Sequence, residues 1–234
     1  MTLCLAGIYD NGAGAILAAD KMTGLSVRRG NVTEPELVKQ EREDTYKIKM
    51  LTDDIAVITA GDGDWTDALI RDIQKKIHIH KNIKFFKVLK ISLATFRQHY
   101  LDLILRQELM PLGFESFDDY HRKALQYDRQ RIEQIDLRLK AFNVPIDIAL
   151  VGKGENGYEI QEIDAPGTSQ IIRYGFTALG NGKNYALPVL ADTYYPTMNR
   201  KQATAILKKA KVEGEKDPSV GEKTDWVYLP IETE

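Results

Sequence analysis

Residues 2–20, TLCLAGIYDNGAGAILAAD, decide how the rest of the chain is read. Thr2 to Tyr9 is a short apolar run that alternates poorly and holds small or β-branched residues, the pattern of a buried strand. Asp10-Asn11-Gly12 supplies turn residues, and Ala13 to Ala19 is a second strand of small residues, so the two form a hairpin with Gly14 as a candidate bulge. So many Gly and Ala side chains imply that another layer packs closely over this sheet. The pattern recurs in residues 46–60, YKIKMLTDDIAVITA. There Tyr46 to Leu51 and Ile55 to Ala60 flank the turn Thr52-Asp53-Asp54 and read as a second hairpin. Between the hairpins, Lys21 to Arg42 is polar and turn-rich, with Pro35 interrupting any regular element, and is expected to run as exposed loop.

Downstream the hydrophobic period lengthens. Trp65 to Ile77 places apolar residues every three to four positions and reads as a helix. His78 to Lys90 is basic, through Lys81, Lys84, Lys87 and Lys90. Ile91 to Leu109 is helical in character and ends before Pro111. A long helix is expected over Ser116 to Phe142, with Leu125, Ile132, Ile135 and Leu139 as its apolar stripe. The period then shortens: Ile146 to Val151 and Tyr158 to Ile163 flank a tight turn at 154–157, and Ile171 to Thr177 is a further strand. Gly180-Asn181-Gly182 turns into a helix over Asn184 to Ala191, and Asn199 to Val212 is another. After the loop Asp217 to Gly221, Trp226 to Ile231 closes the chain as an edge strand. Hairpins at both ends with helices between them imply two antiparallel sheets packed together and covered by helices. A βα series with a Gly-rich phosphate loop is missing, which counts against dinucleotide and P-loop folds.

The chain has 234 residues, 43% of them hydrophobic, which suits one domain able to bury a core. With 32 basic and 34 acidic side chains the formal charge is -2, which argues against a dedicated nucleic-acid binder. The single cysteine, Cys4, leaves no partner for an intrachain disulfide and no cysteine-built zinc site. No apolar run is long enough to span a membrane, and MTLCLAGIYDNG has no basic n-region of a signal peptide, so a cytoplasmic location is expected.

Position gives the strongest chemical hint. Removal of Met1 leaves Thr2 as the amino terminus, a hydroxyl nucleophile joined to an α-amine whose ordinary pKa is near 8. Such an amine can act as base for its own hydroxyl without a histidine. Lys47 stands in the third strand, where a buried lysine needs an anion, and Asp20 at the end of the second strand can be that partner. Gly61 ends a strand where a bare backbone N–H can face a developing oxyanion. The plain alternatives are an ordinary Met-Thr start, a solvent-facing Lys47 and a turn glycine. His78-Ile79-His80 offers a metal pair only if that segment is a strand, and no third ligand is evident. The lysines of residues 81–90 read better as a solvated face than as a polyanion site.

Taken in order along the chain, these blocks resemble the proteasome family of N-terminal nucleophile hydrolases. Thr2 to Gly7 is similar to the mature terminus of a catalytic β-type subunit. Ile16 to Asp20 is similar to its second strand, and Lys47 stands at the family's interval from the Ala60-Gly61 pair. Thr177 to Gly182 resembles its Gly-Ser-Gly turn, and Asp217 to Gly221 its late Asp-x-x-Ser-Gly loop. The resemblance implies a four-layer α/β/β/α sandwich in one domain, residues 1–234, with an extended helical middle segment inserted within residues 78–120. It implies Thr2 as nucleophile, Lys47 and Asp20 tuning and orienting it, Gly61 as oxyanion donor and Asp217 beside the terminal amine. Asn181 stands where the family has serine, and Ser219 falls one residue early, with Val220 in the serine's place. The activity implied is threonine-type hydrolysis of peptide bonds through an acyl ester. A peptide ligase using the same threonine, or a catalytically silent scaffold, is the alternative. No cofactor or metal is implied. The partners implied are a peptide or protein substrate, further copies of the chain in a ring or open spiral, and an unfoldase or regulator, with no membrane and no nucleic acid.

Overall fold

A computed structural model of the chain describes residues 2–27, 36–41, 47–80 and 83–230. Strand β1 (Cys4–Tyr9) turns through residues 10–12 into β2 (Gly14–Asp20), and the two pair antiparallel from Cys4–Ala19 to Tyr9–Gly14. The second expected hairpin forms as β5 (Ile48–Thr52) and β6 (Ile55–Gly61), with a register shift between Met50 and Thr52. Tyr46, expected to open that hairpin, lies outside the described residues, as do Met1, Lys81 and Ile231. Part of the segment expected to be loop is instead a hairpin: β3 (Met22–Val27) pairs with β4 (Glu36–Glu41). Its sequence lacks the apolar alternation of a half-buried strand; the ladder is known by its backbone pairing, from Met22–Glu41 to Val27–Glu36.

The other strands complete two sheets. One has the order β10-β1-β2-β11, with β10 (Phe176–Leu179) and β11 (Thr224–Leu229) at its edges. The other runs β5-β6-β7-β8-β9, with β7 (Ile146–Gly154), β8 (Gly157–Asp164) and β9 (Thr168–Ile171). The single strand expected over Ile171 to Thr177 is thus divided. Its first residue closes β9 on the second sheet and its last two lie in β10 on the first, so Arg173 to Gly175 carries the chain between layers.

Three apolar layers follow from strand alternation. Between the sheets, Cys4, Ala6, Leu17 and Ala19 meet Ile58, Ala60, Ala149 and Ile160. The small side chains of β1 and β2 let the sheets approach closely. The outer face of the second sheet packs through Val57, Ile148 and Leu150 on α1 (Gly63–His78) and α2 (Phe85–Ile104). The outer face of the first packs through Leu5, Ile16 and Ala18 on α5 (Lys183–Thr193) and α6 (Arg200–Gly214). The architecture is a four-layer α/β/β/α sandwich of two antiparallel sheets. Among the described residues no helix is long and apolar enough to cross a membrane.

Capping residues set the helix limits. Asp62 accepts from the Trp65 amide and starts α1, and Asn199 forms a reciprocal capping box with Gln202 at the head of α6. Helix α2 begins six residues before the expected Ile91, since Phe85, Val88 and Leu89 extend its buried face. The long helix expected over 116–142 is two: α3 (Phe117–Ala124), capped by Ser116, and α4 (Arg129–Ala141), capped by Asp128. The Asp128 side chain captures the Arg131 amide, and Tyr127 packs edge-on against Phe114. Leu125, expected on the apolar stripe, falls in the turn and is exposed. Leu109, Phe114, Tyr120 and Ile135 form a small core of their own beside the sandwich.

Candidate active site

The two sheets bring separate sequence segments to one end of the sandwich. Thr2 precedes β1 and Asp20 ends β2 in the first sheet, while Lys47 and Gly61 flank β5 and β6 in the second. Asp20 is 1% exposed and serves as the hub. Its Oδ1 accepts from Thr2 Oγ1 at 2.6 Å, the Leu3 amide at 2.7 Å and Lys47 Nζ at 2.8 Å. Its Oδ2 accepts from the Met22 amide at 3.1 Å and the Gly221 amide at 3.0 Å. These five donors, the Lys47 counter-charge among them, replace the water that burial takes from the carboxylate. Lys47 also donates to the Met22 carbonyl at 2.7 Å, so two acceptors fix its ammonium.

Gly61 closes β6 with φ +117°, and a Cβ there would lie 2.2 Å from the Pro145 carbonyl oxygen. It lines a cavity of about 360 Å³ together with Thr2, Ala60 and Asn181. Gly180, at φ +84°, forms another part of that wall, and a Cβ on it would sit 2.3 Å from the Thr2 carbonyl oxygen. Only glycine lets the 180–182 turn rest against Thr2 in this way.

Asp217, Ser219 and Asn181 form a second group. Asp217 Oδ1 accepts from the Ser219 amide at 2.8 Å and from the Ser219 hydroxyl, and Asn181 Nδ2 approaches Ser219 Oγ at 3.5 Å. Among the described residues the Asp217 carboxylate takes hydrogen bonds from Ser219 alone. The two groups are joined through the backbone, since the loop that holds Ser219 also presents the Gly221 amide to Asp20. Lys211 steadies that loop: it is buried and donates to the Glu222 carbonyl and to Glu215.

Cys4 lies one layer inward, fully buried, with its thiol donating to the Thr59 carbonyl at 3.3 Å. Burial pushes the thiol up to about 12, against a lowering by Lys47, so it stays protonated and is no nucleophile. His78 ends α1, so the metal pair imagined for a strand does not share a face. Among the described residues no group of three His, Cys, Asp or Glu is placed to hold a metal ion.

The sequence reading passed over Asp147. It accepts from the Gly180 amide at 2.8 Å and Lys183 Nζ at 3.1 Å, fastening the turn that rests on Thr2. Asp147 pairs with Ala60 across the ladder and therefore faces inward. A charged residue at an inward position of the otherwise apolar run Ile146 to Val151 was the available signal.

No family model matches the chain, and no curated protein matches it by sequence. Among solved structures it is similar to a Gly-1 mutant of Anbu from Hyphomicrobium sp. strain MC1. The TM-score is 0.61 at 13% identity, over 97% of this chain and 80% of that one. The likeness is one of fold, an N-terminal nucleophile (Ntn)-hydrolase-like α/β/β/α sandwich, and does not single out a proteasome β-subunit.

Proposed function

We propose that the chain, once freed of Met1, is a threonine-nucleophile amide hydrolase acting on peptides, working as a subunit of a homo-oligomer. The observation that carries this reading is the Asp20 hub, which holds the Thr2 hydroxyl and the Lys47 ammonium on one carboxylate oxygen. The Thr2 α-amine takes the hydroxyl proton as Oγ1 attacks the amide carbonyl carbon. The adjacent Lys47 charge disfavours a protonated amine and favours negative charge on Oγ1. The Gly61 N–H stabilises the oxyanion. The C–N bond then breaks, the amine leaves with the proton, and water hydrolyses the Thr2 ester. Transfer of that ester to a second amine makes the same site a ligase.

A second reading, a silent scaffold subunit, is favoured by the 180–182 turn and the late loop. Asn181 brings an amide where a hydroxyl would relay a proton, and the Ser219 hydroxyl is already committed to Asp217. Intact mass of the natively expressed protein, before and after a peptide epoxyketone, separates the two. A hydrolase loses Met1 and gains one adduct that Thr2→Ala abolishes. A protein that retains Met1, or gains no adduct, and still assembles is a scaffold.

A further inference from the structure

We propose that the free edge of β11, flanked by one side of α6, is a docking site where an extended acidic segment of another protein adds to the sheet as an antiparallel strand. β11 closes the first sheet in the order β10-β1-β2-β11 and pairs with β2 alone. The Lys21 amide donates to the Lys223 carbonyl at 3.1 Å, which sets the phase of that ladder. Asp225, Val227 and Leu229 therefore turn their backbone groups toward β2, and Thr224, Trp226 and Tyr228 turn theirs outward. Among the described residues no hydrogen bond reaches the backbone N–H or C=O of Trp226 or Tyr228. No register shift interrupts the ladder from Thr224 to Leu229. Such an edge is a template for one more strand.

The side chains beside that edge select the charge. Trp226 and Tyr228 face α6, whereas Val227 and Leu229 face the other sheet. The Arg200 guanidinium lies 4.3 Å from the centre of the Tyr228 ring, and Lys208 Nζ lies 5.9 Å from that of Trp226. Arg200, Lys201, Lys208 and Tyr228 line a groove of about 570 Å³, in which every charged group is a cation. Lys201 and Lys208 are exposed and have no carboxylate partner among the described residues. The chain as a whole carries a formal charge of -2, so the positive sign belongs to the groove. The spacing also fits. Eight residues of helix, from Arg200 to Lys208, rise about 12 Å. Side chains i, i+2 and i+4 of a strand share one face and span about 13 Å. A strand laid against β11 with Glu or Asp at those positions sets its carboxylates along the cations, while its backbone pairs with Trp226 and Tyr228. A nucleic acid would meet the cations but leave the strand edge unpaired, so a protein segment is the better occupant.

The test is fluorescence anisotropy of a labelled, capped heptapeptide of alternating Val and Glu, titrated with the full-length Thr2→Ala chain so that chemistry at Thr2 leaves the peptide intact. At low salt the Glu peptide is expected to bind at least about tenfold more tightly than its Gln counterpart, and a Lys counterpart more weakly than either. The surface variant Lys201→Glu/Lys208→Glu should remove the Glu preference. Directly opposed residues of an antiparallel pair share a face, so the Glu residues are the ones whose amides meet Trp226 and Tyr228. N-methylation of the Glu amides should therefore abolish binding, and N-methylation of the Val amides should spare it. Equal affinity for Glu and Gln peptides, no binding, a Glu preference that survives the charge reversal, or indifference to which amides are methylated overturns the proposal. So does equally tight, competing binding of a single-stranded oligothymidylate, which marks a plain polyanion surface, or self-association that shuts the peptide out, which marks an edge filled by a second copy. The site stands apart from the hydrolase reading, whose own readout is the Thr2-dependent epoxyketone adduct.

Discussion

Replacing Asp20 by Asn tests the hub most severely. Asn keeps the shape and one acceptor, but turns the other oxygen into an NH2 and removes the charge. If the NH2 faces the Oδ2 side, the Met22 and Gly221 amides lose their acceptor. If it faces the Oδ1 side, it meets three donors: Thr2 Oγ1, the Leu3 amide and Lys47 Nζ. Either way the Lys47 ammonium, whose side chain is 11% exposed, is left without its counter-ion. Removing one partner of a buried pair costs about 3–5 kcal/mol, most of it from the charge left behind. The opposite change also strands a buried charge, but Asp20 keeps the Thr2 hydroxyl and three backbone donors, which offset part of the cost. Lys47→Met is therefore expected at or below the low end of the same range, about 3 kcal/mol. The assay is urea unfolding of the four proteins of the double-mutant cycle, read as a shift in midpoint at unchanged m-value. Asp20→Asn should fall below Lys47→Met in stability, and adding Lys47→Met to Asp20→Asn should recover part of the loss. Refutation is an Asp20→Asn protein within about 1 kcal/mol of wild type, or a double variant whose loss equals the sum of the single ones.

Three further outcomes are expected. Leu109→Ala empties the centre of the small helical core and should cost about 2–5 kcal/mol by chemical denaturation, with loss of protection in α3 and α4 ahead of the sheets. The Cys4 thiol, raised by burial from 9.0 to about 12, should resist a thiol reagent in the native protein at pH 8 and react only on unfolding. Because the folded value lies above the unfolded one, its share of stability is complete below pH 9.0 and disappears as pH rises to about 12; Cys4→Ala should flatten that part of the stability–pH curve. Lys211→Met should loosen the 217–222 loop and speed hydrogen exchange at the Gly221 amide more than at amides of β1, an effect Lys211→Arg should largely spare.

The two hairpins that build the sandwich were legible because β1 and β2 are buried throughout, β6 is buried up to Gly61, and turn residues bound them, a local pattern. The hub was legible for a related reason. Asp20 and Lys47 are charges set at the ends of apolar strands, where burial demands a partner. The rest of the site is held by contacts that local pattern does not report. Asp147 reaches Gly180 across 33 positions and Gly221 reaches Asp20 across 201, and neither stretch shows a period that marks the meeting. The β3–β4 hairpin was missed because its ladder carries no apolar alternation. The long helix was overextended because Asp128, a polar residue among many, gave no sign from composition alone that its side chain would cap a new helix.

The alanines between the sheets have a consequence for tuning. Thr2 and Asp20 ride on one sheet and Lys47, Gly61 and Asp147 on the other, so the thickness of the slab between them sets the reach of the contacts that cross it, Lys47 to Asp20 and Asp147 to Gly180. Ala6, Ala19, Ala60 and Ala149 make that slab thin. It works as a caliper: one methyl group added at Ala6 or Ala149 is expected to open the jaws by a fraction of an ångström and so to lengthen the Lys47–Asp20 contact from within the core.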